Sequence, residues 1–232
     1  MTNQSTYRKL LISDLGTMRY EKAWHLQRQL FEERQLDSKE DILLLVEHPH
    51  TYTLGKTANR KNLIGSDEFL KENNISVFDI DRGGDITYHG PGQIVGYPVL
   101  NLANWQKDTG KYLRALEEII IRVCREYGLE CTRKEKYTGV WIEDRKICAI
   151  GIKVKNWITM HGFAFNVNTD LKMFGGIIPC GIKDKEVTSL QAELGIEFEI
   201  QEVKEKISSQ FVNYFKYNNF ETVDLLQYMV QT

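Results

Sequence analysis

Between Asp81 and Gln93 the chain reads Asp-Arg-Gly-Gly-Asp-Ile-Thr-Tyr-His-Gly-Pro-Gly-Gln, with four glycines inside ten residues. A glycine in an ordered segment costs up to about 1 kcal/mol relative to alanine, so such a run marks a backbone that bends sharply or comes close to something. With the cation of Arg82, the ring of His89 and exposed backbone amides, it has the make-up of a small-molecule pocket wall, although an ordinary glycine-rich hairpin shares that composition. It is neither the phosphate-cradling G-x-x-x-x-G-K-[ST] pattern nor a dinucleotide fingerprint. The second candidate is Cys180, bracketed by Pro179 and Gly181 in a glycine-rich loop. A thiol of ordinary acidity is only a few per cent thiolate at neutral pH, so a nucleophilic cysteine needs a cation or base beside it, and the chain offers Lys and His for that. Cys124 and Cys148 fall inside helix or strand patterns and Cys131 follows a helix end, which suits small buried hydrophobes.

The elements that must hold these groups are partly visible in the apolar spacing. Met18 to Gln35 places Tyr20, Ala23, Trp24, Leu30 and Phe31 on one helical face. Ile42 to Val46 is short and continuously apolar and stops at Glu47-His48-Pro49, as a strand covered on both faces does. Trp105 to Tyr127 has helical spacing with Gly128 as a left-handed stop. Gly139–Glu143, Lys146–Val154 and Trp157–Val167 read as an antiparallel three-strand meander. Thr188 with Gln191 has capping-box spacing for a short helix, and Val203, Ile207, Phe211, Tyr214 and Phe215 mark the last long one. Strands and helices mix without strict βαβ alternation, which predicts an α+β fold with a mixed or antiparallel β-sheet flanked by helices.

Composition narrows the function classes. Thirty Lys+Arg against thirty-two Asp+Glu give a net charge of −2, too balanced for the broad positive field of non-specific nucleic-acid binding. Four cysteines with no C-x-x-C pair, and five histidines, argue against a structural zinc or a disulfide scaffold. His48 and His50 around Pro49 make at most half a metal site. No run approaches a membrane span and the first residues lack a signal-peptide core, so a cytoplasmic protein is expected. Four prolines and no linker or repeat predict one domain over residues 1–232.

The string RGGDITYHGPGQ (82–93), followed by GYPVLNL (96–102), closely resembles the signature of the lipoyl(octanoyl) transferases. The resemblance continues in EHPHTYTLGK (47–56), TGVWI (138–142), KICAIGIKV (146–154), HGFAFNVNTDL (161–171), PCGI (179–182) and VTSL (187–190), in family order. It implies a biotin/lipoate protein ligase-like catalytic domain. It also implies transfer of an octanoyl group from octanoyl-acyl carrier protein to the lysine of lipoyl domains, those of 2-oxoacid dehydrogenase complexes and the glycine cleavage H protein. This is the first step of endogenous protein lipoylation. No cofactor or metal is implied, nor a nucleic-acid or membrane partner, and a monomer is expected.

Carried over by position, the nucleophile resembles Cys180, forming an acyl thioester, and the lysine that activates it resembles Lys146. The acyl pocket resembles Arg82, Gly83, Gly84, Asp85, Ile86, Thr87, Tyr88 and His89, with Ala149, Ile150, Gly151, Gly162, Phe163 and Ala164. Two departures stand out: Asp85 replaces a commonly neutral residue, and Phe163 and Phe165 replace small or aliphatic ones. Physically, thioester exchange onto a cysteine conserves the donor's activation without ATP, and Lys146 would stabilise a thiolate as an ammonium or take a proton as an amine. Backbone N–H groups near Cys180 and the glycine loop, with His89 or Thr87, are candidate oxyanion donors. Lys146 also reads as a hairpin-turn lysine facing water, His161 as structural, and Arg19, Lys56, Arg60 and Lys61 as scattered surface charge or a patch for an acidic carrier. Three alternatives share parts of the pattern: an ATP-dependent lipoate or biotin ligase, an amidotransferase between lipoyl domains, and a non-catalytic acyl-binding protein.

Overall fold

The computed structural model describes residues 8–36, 40–135, 137–178 and 186–225, so Cys180, together with Pro179 and Gly181, lies outside the described residues. Strand β1 (Lys9–Thr17) leads to helix α1 (Tyr20–Gln35) and strand β2 (Asp41–Glu47). A small parallel and antiparallel group follows: β3 (Thr51–Leu54), a short helix α2 (Asp67–Glu72), β4 (Ser76–Asp79) and β5 (Ile86–His89). Next come β6 (Gln93–Val99), the long helix α3 (Thr109–Glu126), β7 (Thr132–Lys134), β8 (Tyr137–Ile142), β9 (Arg145–Lys155) and β10 (Ile158–Asn166). The described chain ends with β11 (Glu186–Val187), α4 (Leu190–Leu194), α5 (Ile200–Phe215) and β12 (Asn219–Thr222).

Among the described residues the strands form two sheets. The large one has the order β12-β1-β2-β6-β10-β9-β8-β7, with β11 pairing parallel to β9 beside Lys146. β1 runs parallel to β2 and β12, and the remaining pairs along that order are antiparallel, so the sheet is mixed as expected. The small sheet has the order β4-β3-β5.

β2 shows why its sequence is continuously apolar. Leu43 and Leu45 face a core formed with α3 and α5, while Ile42, Leu44 and Val46 face a second core formed with α1. Each such fully buried aliphatic side chain stabilises the fold by roughly 1.5–3 kcal/mol. α3 begins at Thr109, not near Trp105, because Leu102–Asn104 is a separate 3₁₀ turn and Asp108 caps the helix by accepting from Lys111 N–H at 2.9 Å. The short helix is capped by Ser189, whose Oγ accepts from Ala192 N–H at 3.1 Å; the expected cap Thr188 instead donates to Glu193 at 2.5 Å. Where β1, β2 and α1 meet, buried Asp41 accepts from Arg8, Arg34, Tyr217 Oη and Asn101 N–H at 2.8–3.2 Å. Among the described residues no helix is long and apolar enough to cross a membrane.

Candidate functional site

A cavity of about 400 Å³ opens between the small sheet, α1 and the middle of β9 and β10, a volume within the roughly 300–1,000 Å³ of small-molecule sites. Its lining includes Arg82 to Thr87, His89, Lys146, Ala149 to Gly151 and Gly162 to Ala164. Tyr88, expected among them, is not: the alternation of β5 turns its ring away into a third core, against Phe174 at 5.0 Å, and its hydroxyl bonds His50 at 2.7 Å.

A bulge places Lys146. The register of β8 against β9 slips between Val140–Cys148 and Trp141–Lys146, so that Ile147 and Cys148, adjacent in sequence, both enter the core under α3. A regular strand would send one of them the other way. The slip puts Lys146 on the cavity face with Ala149 and Gly151, and the lysine is only 7% exposed. Its Nζ stands 4.7 Å above the Trp141 ring, a cation–π contact, so the reading as a water-facing turn lysine is overturned. Gly139, at φ +128°, makes the room: an added Cβ would lie 2.6 Å from the Cys148 carbonyl oxygen and 3.4 Å from Lys146 Cε. Its N–H donates to the buried carboxylate of Glu117 on α3 at 3.0 Å, and Glu117 is itself paired with Arg114 and Arg133.

The glycine-rich motif is a chain of hydrogen bonds. Arg82 Nη2 donates to the Thr53 carbonyl at 2.7 Å and to Thr53 Oγ1 at 3.0 Å. Thr53 Oγ1 lies 3.3 Å from His89 Nε2, and His89 Nδ1 lies 2.9 Å from Gln93 Oε1. Gln93 Nε2 donates to Asn166 Oδ1 at 2.9 Å, Asn166 Nδ2 to the Thr188 carbonyl at 2.9 Å, and Thr188 N–H to the Lys146 carbonyl at 3.0 Å. The tautomer that satisfies every link carries its proton on Nδ1 of His89. Burial drives the His89 pKa well below its usual value, and with both ring nitrogens engaged His89 braces the wall and has no N–H left for an oxyanion.

Asp85 stands at the cavity rim with its carboxylate taken up by neighbouring donors. Its carboxylate accepts from Asn62 Nδ2 at 2.5 Å, Asn59 N–H at 3.2 Å and its neighbour Ile86 N–H at 2.8 Å, tying the 59–62 turn to the rim. Gly84, at φ +91°, and Gly55, whose added Cβ would lie 2.3 Å from the Gly84 carbonyl oxygen, let residues 55–57 pack closely on the glycine run, with Thr57 N–H donating to Gly84 O at 3.3 Å. Phe163 lines the cavity with its ring over Gly96, where an added Cβ would come within 2.1 Å, whereas Phe165 is wholly in the core.

Sequence reasoning missed part of the wall. Tyr20, Val95, Tyr97 and His161 also line the cavity. His161 has a left-handed φ of 59°, which turns its ring to Asp81, with Nε2 at 2.8 Å from Oδ1. Burial outweighs the attraction of Asp81, lowering the imidazole pKa, and the bond from His161, joined by Lys153, holds the Asp81 carboxyl far below the usual range. A non-glycine residue in that conformation inside a cavity is a functional signal, but only backbone angles reveal it. His48, in contrast, bonds Met18 O at 2.7 Å and Tyr97 Oη at 2.8 Å, so its nitrogens are spent inside the core. Arg60 and Arg19 of the supposed surface patch pair with Asp79 and Glu21.

A mixed sheet with helices on both faces, a small satellite sheet and a cavity between them is the architecture of lipoate and biotin protein ligase catalytic domains. The fold is similar to lipoate-protein ligase A bound with ATP (TM-score 0.71, 15% identity, 97% of this chain and 93% of that one). It is also similar to the biotin protein ligase of Aquifex aeolicus (TM-score 0.52, 15% identity, 90% and 69%). The sequence model of the lipoyl protein ligase A/B catalytic domain matches residues 19–212, and the chain belongs to that family. Among curated relatives, the octanoyltransferase of Flavobacterium psychrophilum is 50% identical over 88% of this chain and 95% of its own. That of Caldicellulosiruptor bescii is 47% identical over 87% and 89%.

Proposed function

We propose that this protein is an octanoyltransferase that takes an octanoyl group from an acyl carrier protein thioester and passes it to a lysine of a lipoyl domain. In the first step the Cys180 thiolate attacks the thioester carbonyl, the carbon–sulfur bond to the carrier breaks, and the carrier thiolate takes up a proton. In the second, the acceptor amine attacks the Cys180 thioester, loses a proton as the amide forms, and Cys180 leaves as the thiolate. Lys146 serves both steps, as the cation that stabilises the Cys180 thiolate and as the group that relays the proton. Arg82, Gly83, Gly84, Ile86, Thr87, Ala149, Ile150, Gly151, Gly162, Phe163 and Ala164 are read as the acyl site.

The observation that carries this reading is Lys146: a bulge turns an almost fully buried lysine into an apolar cavity floored by Ala149, Gly151, Gly162 and Ala164. Further along the chain, Ile178 N–H donates to Asn62 O at 2.8 Å, and Glu186 and Val187 pair with Arg145 and Lys146. The octanoyltransferase relatives at about half identity support the same reading. Incubation with octanoyl-acyl carrier protein followed by intact-mass measurement tests it: one octanoyl increment is expected on the protein without ATP, and none on Cys180→Ala. An increment that persists in that variant, or that requires ATP, overturns the thioester route.

A further inference from the structure

One face of β9 and β10 is a strip of small residues: Ala149 lies opposite Ala164, and Gly151 opposite Gly162. The strip starts at Lys146 and runs toward Arg82. Because the bulge folds the step from Lys146 to Cys148 into one strand position, at a rise of about 3.3 Å per position Ala149 lies about 7 Å from Lys146 along the strand and Gly151 about 13 Å. An extended octanoyl chain, with seven carbon–carbon bonds of about 1.5 Å at tetrahedral angles, is about 9 Å long, so it passes Ala149 and ends about 4 Å, one van der Waals contact, short of Gly151.

The strip is stopped at Gly151. A Cβ there would lie 2.9 Å from Arg82 Cδ, so the arginine stem lies directly on the glycine. The arginine is held in place by donation to Thr53 O at 2.7 Å, Thr53 Oγ1 at 3.0 Å and Gly83 O at 3.0 Å. Beside it, opposite Ile152, stands the His161 imidazole bonded to Asp81. A chain starting at Lys146 therefore crosses Ala149 and Ala164 over bare backbone and small methyls, then meets a buried, hydrogen-bonded polar wall. Pushing further would break several bonds of that wall in return for burying a methylene.

We propose that Arg82, backed by the Asp81–His161 pair, is the end stop that sets the length of acyl chain this cavity accepts. The proposal rests on the acyl-transfer reading above. Arg82 limits length at the far end, and the Ala149–Ala164 pair leaves the strip open up to it. The same placement makes His161 a positioning residue, acting through the wall and not on the reacting carbonyl, which lies at the Lys146 end.

Self-acylation rates measured by intact mass with hexanoyl, octanoyl, decanoyl and dodecanoyl carrier thioesters test the end stop. The unaltered protein is expected to prefer octanoyl. His161→Ala, which loosens the wall while leaving Asp81 its Lys153 partner, is expected to raise the dodecanoyl-to-octanoyl rate ratio by about tenfold or more, the scale on which pockets discriminate methylenes. Ala164→Val, which blocks the strip midway, is expected to lower the octanoyl-to-hexanoyl ratio by a similar factor, and it decides the matter where His161→Ala does not fold. Unchanged length profiles in the folded variants overturn the end stop while leaving acyl transfer intact. Failure of the unaltered protein to take any acyl chain overturns the transfer reading itself, and the end stop with it.

Discussion

Gly139→Ala tests how the lysine is placed. The φ of +128° at this position is costly for any residue with a side chain, about 1–3 kcal/mol. The new Cβ would also lie 2.6 Å from the Cys148 carbonyl oxygen, so β8 and β9 must part by several tenths of an ångström. Weakening one or two ladder bonds at about 1 kcal/mol each brings the destabilisation to roughly 3–4 kcal/mol. With a urea slope of about 3 kcal/mol/M, the unfolding midpoint falls by roughly 1 M. The same methyl presses on Lys146 Cδ and Cε, 3.4–3.5 Å away. At a temperature where the variant remains folded, a displacement near 1 Å is expected to slow acylation of Cys180 by about a hundredfold. Urea titration followed by circular dichroism, and acylation followed by intact mass, read the two effects. A variant as stable and as fast as the parent would refute the idea that Gly139 and the adjoining bulge place the lysine.

Stability is expected to fall between pH 7.5 and pH 5. Burial lowers the His48 pKa to about 4 in the folded protein and drives that of His89 the same way, against about 6.5 when unfolded. Below pH 6.5 the unfolded chain binds protons that the folded one refuses, so His48 alone costs about 2 kcal/mol by pH 5, while the carboxylate of Asp81 titrates below this window. Urea midpoints at the two pH values read the loss, and equal midpoints would contradict it. Asp41→Ala removes an acceptor shared by four donors and is expected to cost about 3–5 kcal/mol, read as a drop in the urea midpoint; a loss under 1 kcal/mol would show the cluster to be incidental.

The elements legible in the sequence were those whose apolar spacing has one cause. β2 is apolar throughout because both its faces are covered, and α3 shows a helical stripe because only one face is. β12, exposed along its length, carries no such pattern, and the small sheet is too short to show a period. The site divided in the same way. The motifs brought the residues of the cavity wall into view, but Lys146-Ile147-Cys148-Ala149 reads as plain strand, and the bulge that reverses Lys146 leaves no trace in residue types. Tyr88 was misplaced because a motif names consecutive residues while a strand sends them to opposite faces. Tyr20, Tyr97 and His161 come to the cavity by tertiary packing and, for His161, by a backbone angle. Thr188, one residue before the true cap, is drawn off by the Lys146 carbonyl and by Glu193.

The most direct measurement is single-turnover acylation of Lys146→Ala by octanoyl-acyl carrier protein, followed by intact mass, with folding checked by circular dichroism. A folded variant in which octanoyl appears on Cys180 at least a hundredfold more slowly than in the parent is the expected result. A folded variant that acylates at the parental rate would contradict the assignment of Lys146 as the group that activates Cys180.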